Sequence, residues 1–273
     1  MKIIKNIEEL REVINNYYSL NKIIAFVPTM GSLHDGHLSL IRYAKETADI
    51  SVVSIFVNKT QFNDANDFTN YPRDLDNDID KLSKLKPDII FVPNDSEIYN
   101  KDFAIKISVN KFHDCLCGSS RIGHFDGVAL IIIKLFNLIK PHKAIFGEKD
   151  YQQTLIIKKL VKDLNFDINI IVQPTYREPS GLAMSSRNLR LSANGKKLAF
   201  AIYKTLNEIK TDPSTLEQKK FELLDMGFEK IDYLEIRDED DLKLINNINS
   251  AQNKRIFIAI YLEGIRLIDN LKI

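Results

Sequence analysis

The segment FVPTMGSLHDGHLSL, residues 26–40, joins the end of an apolar run to a glycine-containing turn and then to a helical pattern that begins near His37. A buried strand that leads through a short turn into a helix is the repeating unit of parallel α/β sheets. At such a junction, backbone N–H groups and the positive end of the helix point at an anion. His34 and His37 are three residues apart, so both imidazoles face the same space and can donate hydrogen bonds to phosphate oxygens. The segment therefore predicts a site for a nucleoside triphosphate.

Two other interpretations of this histidine pair stay open. The pair could merely cap the helix, or it could bind a metal as a His-x-x-His motif, although no further cluster of metal ligands is evident in the sequence. The turn has neither the Gly-x-x-x-x-Gly-Lys-Ser/Thr spacing of a Walker loop nor the Gly-x-Gly-x-x-Gly spacing of dinucleotide-binding folds. We favour contact with phosphate, through neither of these two motifs.

Five short runs rich in Ile, Val and Phe are typical of buried parallel strands, and helical patterns lie between them. The predicted strands are residues 23–27, 50–57, 88–92, 143–146 and 168–172, and the predicted helices are residues 37–47, 74–85, 125–139 and 151–164. This alternation predicts a doubly wound α/β sheet. The Asn/Asp-rich run 63–70 is expected to be a mobile loop.

The pattern changes after residue 186. It predicts a helix over residues 193–209, a flexible polar connection at 212–214, and short strands over 233–236, 255–261 and 265–268. Glu263 and Gly264 supply a hairpin turn between the last two strands. We therefore expect a large domain of residues 1–186 and a small α+β domain of residues 187–273.

Composition is typical of a soluble globular protein. Of the 273 residues, 44% are hydrophobic and 27% are charged, and no apolar run approaches the ~20 residues that span a bilayer. A formal net charge of +1 does not favour nucleic acid as the main partner. The N-terminal residues do not have the pattern of a secretory signal, and Cys115 and Cys117 are too close in sequence to link distant segments. We expect free thiols, no membrane insertion and a cytoplasmic location.

Two further junctions carry polar side chains. In KAIFGEKDYQQ, residues 143–153, Lys149 is suited to a phosphate, Asp150 to a ribose hydroxyl or a helix cap, and Gln153 to a polar substrate. In AMSSRN, residues 183–188, two hydroxyls and a guanidinium could close on a triphosphate, or the serines could cap a helix. Both segments are consistent with a nucleotide site at the edge of the sheet.

The segment FVNKTQFNDANDFTNYPRDL, residues 56–75, follows the second predicted strand. Its uncharged side chains Asn58, Gln61 and Tyr71 are suited to the hydroxyl and carbonyl groups of a small hydroxy acid. HDCLCG beside His113 suggests a zinc site shared with His124, but the Cys-x-Cys spacing has no second well-spaced pair. We favour a small-acid pocket and no zinc site.

Together, these segments resemble the pantothenate synthetase family. PTMGSLHDGH, VSIFVNKTQF, YPRDL, GHFDGVA, FGEKDYQQ, GLAMSSRN and EGIRLIDN occur in the family's order over nearly the whole chain. The resemblance implies a Rossmann-like nucleotidyltransferase domain with a lid-like C-terminal domain, a homodimer, and ATP and Mg²⁺ as co-substrate and cofactor. The sequence departs from the family at Lys59, where proline is usual, and in AIYLEGIRLID, residues 259–269, where a small-residue and arginine pattern is usual.

The resemblance also implies the site residues. The residues expected to line ATP are Met30, Gly31, Ser32, Leu33, His34, Asp35, Gly36, His37, Gly147, Glu148, Lys149, Asp150, Tyr176, Met184, Ser185, Ser186 and Arg187. Gln61 and Gln153 are expected to hold pantoate, with Asn58 and Tyr71 in the same region. Among the ATP residues, His34, His37 and Lys149 are the expected catalytic groups, and the ligands of Mg²⁺ are not identified by the sequence.

The expected reaction joins pantoate to β-alanine through an acyl adenylate. A carboxylate with a pKa of about 4 is ionised at neutral pH and needs no general base to attack the α-phosphorus of ATP. Two alternatives stay open: a nucleotidyltransferase that uses a phosphate acceptor, which should need additional cationic residues, and a non-catalytic nucleotide-binding module. The uncharged set Asn58, Gln61 and Tyr71 favours the hydroxy acid.

Overall fold

The molecule contains two β-sheets. The structure is a computed structural model that describes residues 1–245 and 253–273. Six parallel strands form the large sheet in the order β1-β4-β3-β2-β5-β6. These strands are β1 Lys2–Ile4, β2 Ile24–Thr29, β3 Ile50–Ile55, β4 Ile89–Phe91, β5 Lys143–Gly147 and β6 Asn169–Gln173. Three antiparallel strands form the small sheet: β7 Lys230–Asp238, β8 Lys254–Leu262 and β9 Ile265–Lys272.

The helices are short to medium in length, and in the described ranges none is long and apolar enough to cross a bilayer. They are α1 Ile7–Ser19, α2 Asp35–Thr47, α3 Ala65–Thr69, α4 Leu75–Leu85, α5 Asp95–Ile98, α6 Leu116–Ser120, α7 His124–Ile139, α8 Tyr151–Asp163, α9 Ala193–Ala199, α10 Ala201–Thr211 and α11 Leu216–Asp225.

The large sheet is covered on both faces. Along β2, Ile24 and Phe26 belong to one apolar cluster with residues of α1, α7 and α8, whereas Ala25 and Val27 belong to another with residues of α2 and α4. Successive side chains of a strand point to opposite faces, so a strand with helices on both sides is apolar throughout. This arrangement confirms the predicted doubly wound α/β fold.

The small sheet has its own core. Apolar residues of β7, β8 and β9 pack with residues of α9, α10 and α11. Glu263 and Gly264 both have positive φ at the hairpin between β8 and β9, where the sequence predicts a turn. The small α+β unit is confirmed, whereas its predicted boundary at residue 186 stays a prediction because the short helical turn Ser186–Arg190 runs across that position.

Three predicted segments differ from the structure. The run 63–70 is not a plain loop but contains α3, which begins where the Asp64 carboxylate accepts the Asn66 N–H. The polar residues 212–214 are not a flexible connection, because Asp212 caps a helical turn that leads directly into α11. The helix predicted over 193–209 is divided at Phe200.

The strand order places the candidate site. The strand β2 is central, with β3 on one side and β5 on the other. The chain therefore leaves the carboxyl ends of β2 and β5 in opposite directions, which opens a crevice between the two following segments. The segments that follow these strands are the two predicted phosphate-binding junctions.

Candidate active site

A cavity of about 240 Å³ lies at the carboxyl ends of β2 and β5. It brings together most of the predicted site residues, from five separate segments of the chain. The predicted residues on its lining are Met30, His34, Gly36, His37, Asn58, Gln61, Tyr71, Gly147, Lys149, Asp150, Gln153, Tyr176, Met184, Ser185, Ser186 and Arg187. The structure places the predicted residues Gly31, Ser32, Leu33, Asp35 and Glu148 outside this lining.

The turn after β2 is held by a carboxylate from α4. The Asp78 side chain accepts the Ser32 N–H at 2.8 Å and the Leu33 N–H at 2.6 Å, and all three residues are buried. Gly31 has φ +79°, a conformation that glycine adopts without strain, and an added Cβ would lie 3.0 Å from the Asp78 carboxylate. The sequence predicts that this turn's N–H groups face an anion, but at Ser32 and Leu33 that anion is Asp78.

His34 and His37 form a stacked pair at the start of α2. Their ring centroids are 4.0 Å apart, and the His34 backbone N–H donates to His37 Nδ1 at 3.4 Å. Helix capping by His37 is therefore real, but His34 Nδ1 is buried without a hydrogen-bond partner in the part of the chain that the structure describes. Because His37 Nδ1 accepts this hydrogen bond, neutral His37 carries its proton on Nε2, and Nε2 can act as a donor.

Both imidazoles are neutral in the unliganded protein. Burial lowers the pKa of His34 to about 4, and the charge of Lys149 acts in the same direction. Burial likewise lowers the pKa of His37, followed by the effects of His34 and Lys149. The pair therefore offers polar donors but no fixed positive charge at neutral pH.

The loop after β5 is fixed by the small sheet. The Asn270 side chain donates to the carbonyls of Glu148 and Lys149 at 3.0 and 2.9 Å, and Arg255 pairs with the Glu148 carboxylate at 2.8 Å. Glu148 is therefore used in a contact between the two sheets. The Lys149 ammonium lines the cavity, and no described carboxylate lies within ion-pair distance of it. Asp150 occupies the N-cap position of α8 but its exposed carboxylate makes no cap hydrogen bond.

The segment from Ser185 to Arg187 also lines the cavity. Ser186 Oγ lies 3.1 Å from the Tyr71 hydroxyl, and Ser185 Oγ accepts the Arg187 N–H at 3.3 Å, so the predicted serine cap is present. The Arg187 guanidinium contacts both carboxylate oxygens of Asp67, at 2.7 and 3.3 Å. A phosphate bound by Arg187 would therefore have to share the guanidinium with Asp67 of α3 or displace that carboxylate.

The predicted small-acid pocket divides into two kinds of residue. Asn58 is 1% exposed, and its amide donates to the Gly127 carbonyl and to Gln61 Oε1, both at 3.0 Å. Gln61 in turn donates to Met30 Sδ at 3.0 Å, while no hydrogen bond of the Gln153 side chain occurs among residues 1–245 and 253–273. The Asn58 amide is thus engaged within the protein, and the Gln153 amide is available to a ligand.

The structure does not form a zinc site at the cysteine segment, which the sequence analysis considered as an alternative. Cys117 Sγ lies 3.1 Å from the Tyr233 hydroxyl, and both cysteines are free thiols. Burial raises the pKa of Cys115 to about 11, which disfavours the thiolate that zinc requires. Within the described ranges, no group of three His, Cys, Asp or Glu residues could hold a metal ion.

Sequence reasoning missed three residues that shape the site, and it considered a fourth, His124, only as a possible zinc ligand. Asp78 and Asn270 hold the loops after β2 and β5, whereas Arg121 and His124 both contact the carbonyl of Gln61, at 3.2 and 2.7 Å. Arg121 and His124 are three residues apart in GSSRIGHFDG, next to a segment that carries the family resemblance, and this spacing was a usable signal. Asp78 and Asn270 act through contacts distant in sequence, which no local pattern reveals.

The comparisons with known proteins agree with one another. The family model described as pantoate-beta-alanine ligase matches residues 2–272. The pantothenate synthetase of Thermosipho africanus (strain TCF52B) is 42% identical over 278 residues, 99% of each chain, and that of Thermodesulfovibrio yellowstonii is 44% identical over 280 residues, again 99% of each.

Two solved structures are similar along the whole chain. The pantothenate synthetase of Thermus thermophilus has a TM-score of 0.93 and 35% identity, covering 100% of this chain and 99% of its own. The pantoate-beta-alanine ligase of Francisella tularensis, solved in complex with beta-gamma ATP and beta-alanine, has a TM-score of 0.89 and 40% identity, covering 100% and 97%.

Proposed function

The chain belongs to the pantoate–β-alanine ligase family, and we propose that its cavity activates pantoate with ATP and then passes the acyl group to β-alanine. One observation carries this assignment to particular residues: the cavity joins a cationic phosphate side to an amide side that also carries Arg121. Lys149 lies on the first, and Gln61 and Gln153 lie on the second. This division suits a reaction between a triphosphate and a small hydroxy acid.

The phosphate side would align ATP. Lys149 supplies a charge without a carboxylate partner, and neutral His34 and His37 supply N–H donors beside it. A triphosphate brings negative charge to the pair, which favours the imidazolium and raises its pKa. The hydroxyls of Ser185 and Ser186, which line the same cavity, would complete the binding of the phosphates.

The amide side would orient pantoate. We assign Gln61 and Gln153 to contact with its polar groups, Tyr71 to the wall, and Asn58 to holding the Gln61 amide in place. The ionised carboxylate then attacks the α-phosphorus and pyrophosphate leaves. The neutral amine of β-alanine next attacks the acyl carbon, the bond from that carbon to the bridging oxygen breaks, and AMP departs with the electron pair.

Mg²⁺ would bind with the triphosphate and not in a separate protein cage. Mg²⁺ is commonly held by one or two carboxylates together with substrate phosphates. Asp150 fits this requirement, because its carboxylate lies on the cavity lining and makes no cap hydrogen bond. When bound, the ion would neutralise charge on the phosphate oxygens. A cytoplasmic homodimer, expected from the family resemblance, completes the proposal.

Exchange of labelled pyrophosphate into ATP tests the proposed order of steps. We expect exchange when pantoate and Mg²⁺ are present, without β-alanine, because the bound acyl adenylate can return to ATP. A nucleotidyltransferase with a phosphate acceptor would show no pantoate-dependent exchange, and a passive nucleotide-binding module would show none with any acid. Exchange that requires another hydroxy acid would keep the chemistry but reject pantoate.

A further inference from the structure

Arg121 is a partly buried cation without a counter-ion among the residues that the structure describes. Its guanidinium contacts only neutral acceptors: His124 Nε2 at 2.9 Å and the Gln61 carbonyl at 3.2 Å. His124 does not supply compensation, because burial and then the charge of Arg121 lower its pKa to about 3. No described carboxylate lies within 4 Å of Arg121. A cation withdrawn from water is costly unless an anion joins it, so an unpaired one beside a substrate cavity indicates a substrate anion.

Three nearby arginines, unlike Arg121, have a carboxylate partner. Arg187 pairs with Asp67 at 2.7 Å, Arg190 reaches the same carboxylate at 3.4 Å, and Arg266 pairs with Asp232 at 2.8 Å. Burial lowers the pKa of Arg121, and the charges of Arg187 and Arg266 act in the same direction, whereas Cys117 and the more distant Asp67 act in the opposite one. Arg121 is thus the least compensated guanidinium of this group.

The position of Arg121 limits which anion it can receive. It lines the 240 Å³ cavity and also a neighbouring cavity of about 460 Å³, which reaches the small sheet at Arg266 and Asp269. Its contact with the Gln61 carbonyl puts it on the amide side of the site, where the acyl group would be held. The phosphate side has its own cation in Lys149.

We propose that Arg121 binds the carboxylate of the amino-acid substrate, β-alanine, which enters through the 460 Å³ cavity. This inference rests on the proposed function. In β-alanine, the amine and the carboxylate are separated by three single bonds of about 1.5 Å each, so a carboxylate held at Arg121 leaves the amine about 4 Å away, towards the acyl carbon. The planar guanidinium matches a carboxylate in two-point contact. Arg121 is then a specificity-determining residue for the second step.

The test removes the proposed ion pair between Arg121 and the β-alanine carboxylate in two ways, once by changing the protein and once by changing the substrate. We compare kcat/KM for β-alanine and for β-alaninamide, each corrected for its fraction of neutral amine, in the wild type and in Arg121→Gln. The glutamine can still donate to the Gln61 carbonyl. We expect the variant to lose about 100-fold or more with β-alanine but less than about threefold with β-alaninamide, because only the first has the carboxylate. Arg121→Lys should recover part of the loss.

Two controls keep the outcome interpretable. His124→Gln removes the other contact of the Gln61 carbonyl but retains the charge of Arg121, so it should preserve the preference for β-alanine over the amide. Pantoate-dependent pyrophosphate exchange reports the first step alone. Absence of that exchange in the wild type would refute the proposed function and not this inference.

Two results would overturn the inference itself. One is a preference of Arg121→Gln for β-alanine over its amide equal to that of the wild type. The other is an equally large loss of pantoate-dependent exchange in Arg121→Gln, which would assign the guanidinium to pantoate or pyrophosphate. Thermal unfolding and ATP binding of each variant establish that it is folded.

Discussion

At the scale of single residues, the site is organised by which charges the protein leaves unpaired. Among the described cations on the lining of the 240 Å³ cavity, Arg187 has a carboxylate partner, whereas Lys149 and Arg121 have none. An unpaired charge next to a cavity attracts an anion more strongly than one already neutralised. We therefore propose Lys149 as the principal cation for phosphate and Arg121 as the cation for the β-alanine carboxylate.

Replacing Lys149 by alanine should reduce ATP-dependent activation of pantoate by about 10²–10³-fold, because the variant loses a preorganised charge on the phosphate side. The fold should be retained, since the ammonium has no partner within the described protein. Pyrophosphate exchange measures the effect, and Lys196→Ala, which changes an exposed lysine of α9, is the matched control. Exchange near the wild-type rate in folded Lys149→Ala would refute the assignment.

Because His124 is buried, we expect the unfolding free energy of the protein to fall at acidic pH. Burial and Arg121 lower the pKa of His124 to about 3 in the folded protein, against about 6.5 in an unfolded chain. Between these two pH values, His124 is protonated in the unfolded chain but not in the folded protein. The contribution of His124 to the unfolding free energy is therefore fully present above pH 6.5 and is lost as the pH falls. The loss on going from pH 7 to pH 5 is about 2 kcal/mol of unfolding free energy.

Urea unfolding of the wild type and of His124→Gln at these two pH values isolates that contribution. The variant is expected to be less stable at pH 7, yet its unfolding free energy should fall by about 2 kcal/mol less than that of the wild type on going to pH 5. Equal losses in the two proteins would mean that His124 is not kept neutral by the fold.

At the scale of elements, the turn after β2 depends on α4. Asp78 accepts the N–H groups of Ser32 and Leu33, and burial raises the pKa of its carboxyl group. The turn positions His34 at the cavity, although none of its residues from Gly31 to Leu33 lines it. A side chain of α4 thereby sets the geometry of the β2–α2 junction.

Truncating Asp78 to alanine should lower the unfolding free energy by about 2–4 kcal/mol, because two buried N–H groups lose a charged acceptor. We also expect a higher KM for ATP, since the histidines are no longer held in place. Asp76→Ala, in the same first turn of α4 but exposed, is the matched control for both measurements. A loss no larger than that of Asp76→Ala would show that the turn holds its shape without Asp78.

The elements also show how far sequence reasoning reaches. Apolar runs and helical periodicity predicted the strands β2 to β6 and the helices α2, α4, α7 and α8, because those signals are local, but they did not predict the short helices α5 and α6. The same reasoning missed α3, since Asp and Asn favour both loops and helix caps, and only Asp64 and its acceptance of a single N–H distinguish the two. The N-terminal elements β1 and α1 were also not predicted.

For the site, the residue types and most positions could be predicted, but the hydrogen bonds could not. The motifs indicate Lys149, Gln61 and Gln153 directly, whereas nothing local shows that the Asn58 amide donates to the Gly127 carbonyl or that Asp78 accepts the turn N–H groups. Such contacts join segments that are distant in sequence, and the fold alone brings them together.

At the scale of the whole molecule, the small sheet completes the site on the large one. Arg255 is 3% exposed and joins Glu239, Asn270 and Glu148, and Asn270 in turn holds the loop that carries Lys149. Replacing one member of a buried charged network leaves its partners uncompensated, so these contacts stabilise the two sheets in one arrangement. Lys149, the lysine that we propose binds phosphate, is thus positioned jointly by both sheets.

The central claim is that the reaction passes through a pantoyl adenylate, and the transfer of oxygen from pantoate to AMP tests this claim most directly. Pantoate labelled with ¹⁸O in both carboxylate oxygens is turned over with ATP, Mg²⁺ and β-alanine, and the AMP is analysed by mass spectrometry. The carboxylate oxygen that attacks the α-phosphorus remains on the phosphate when the amine displaces AMP. The account predicts one ¹⁸O atom in each AMP and one in each pantothenate, whereas unlabelled AMP would contradict it.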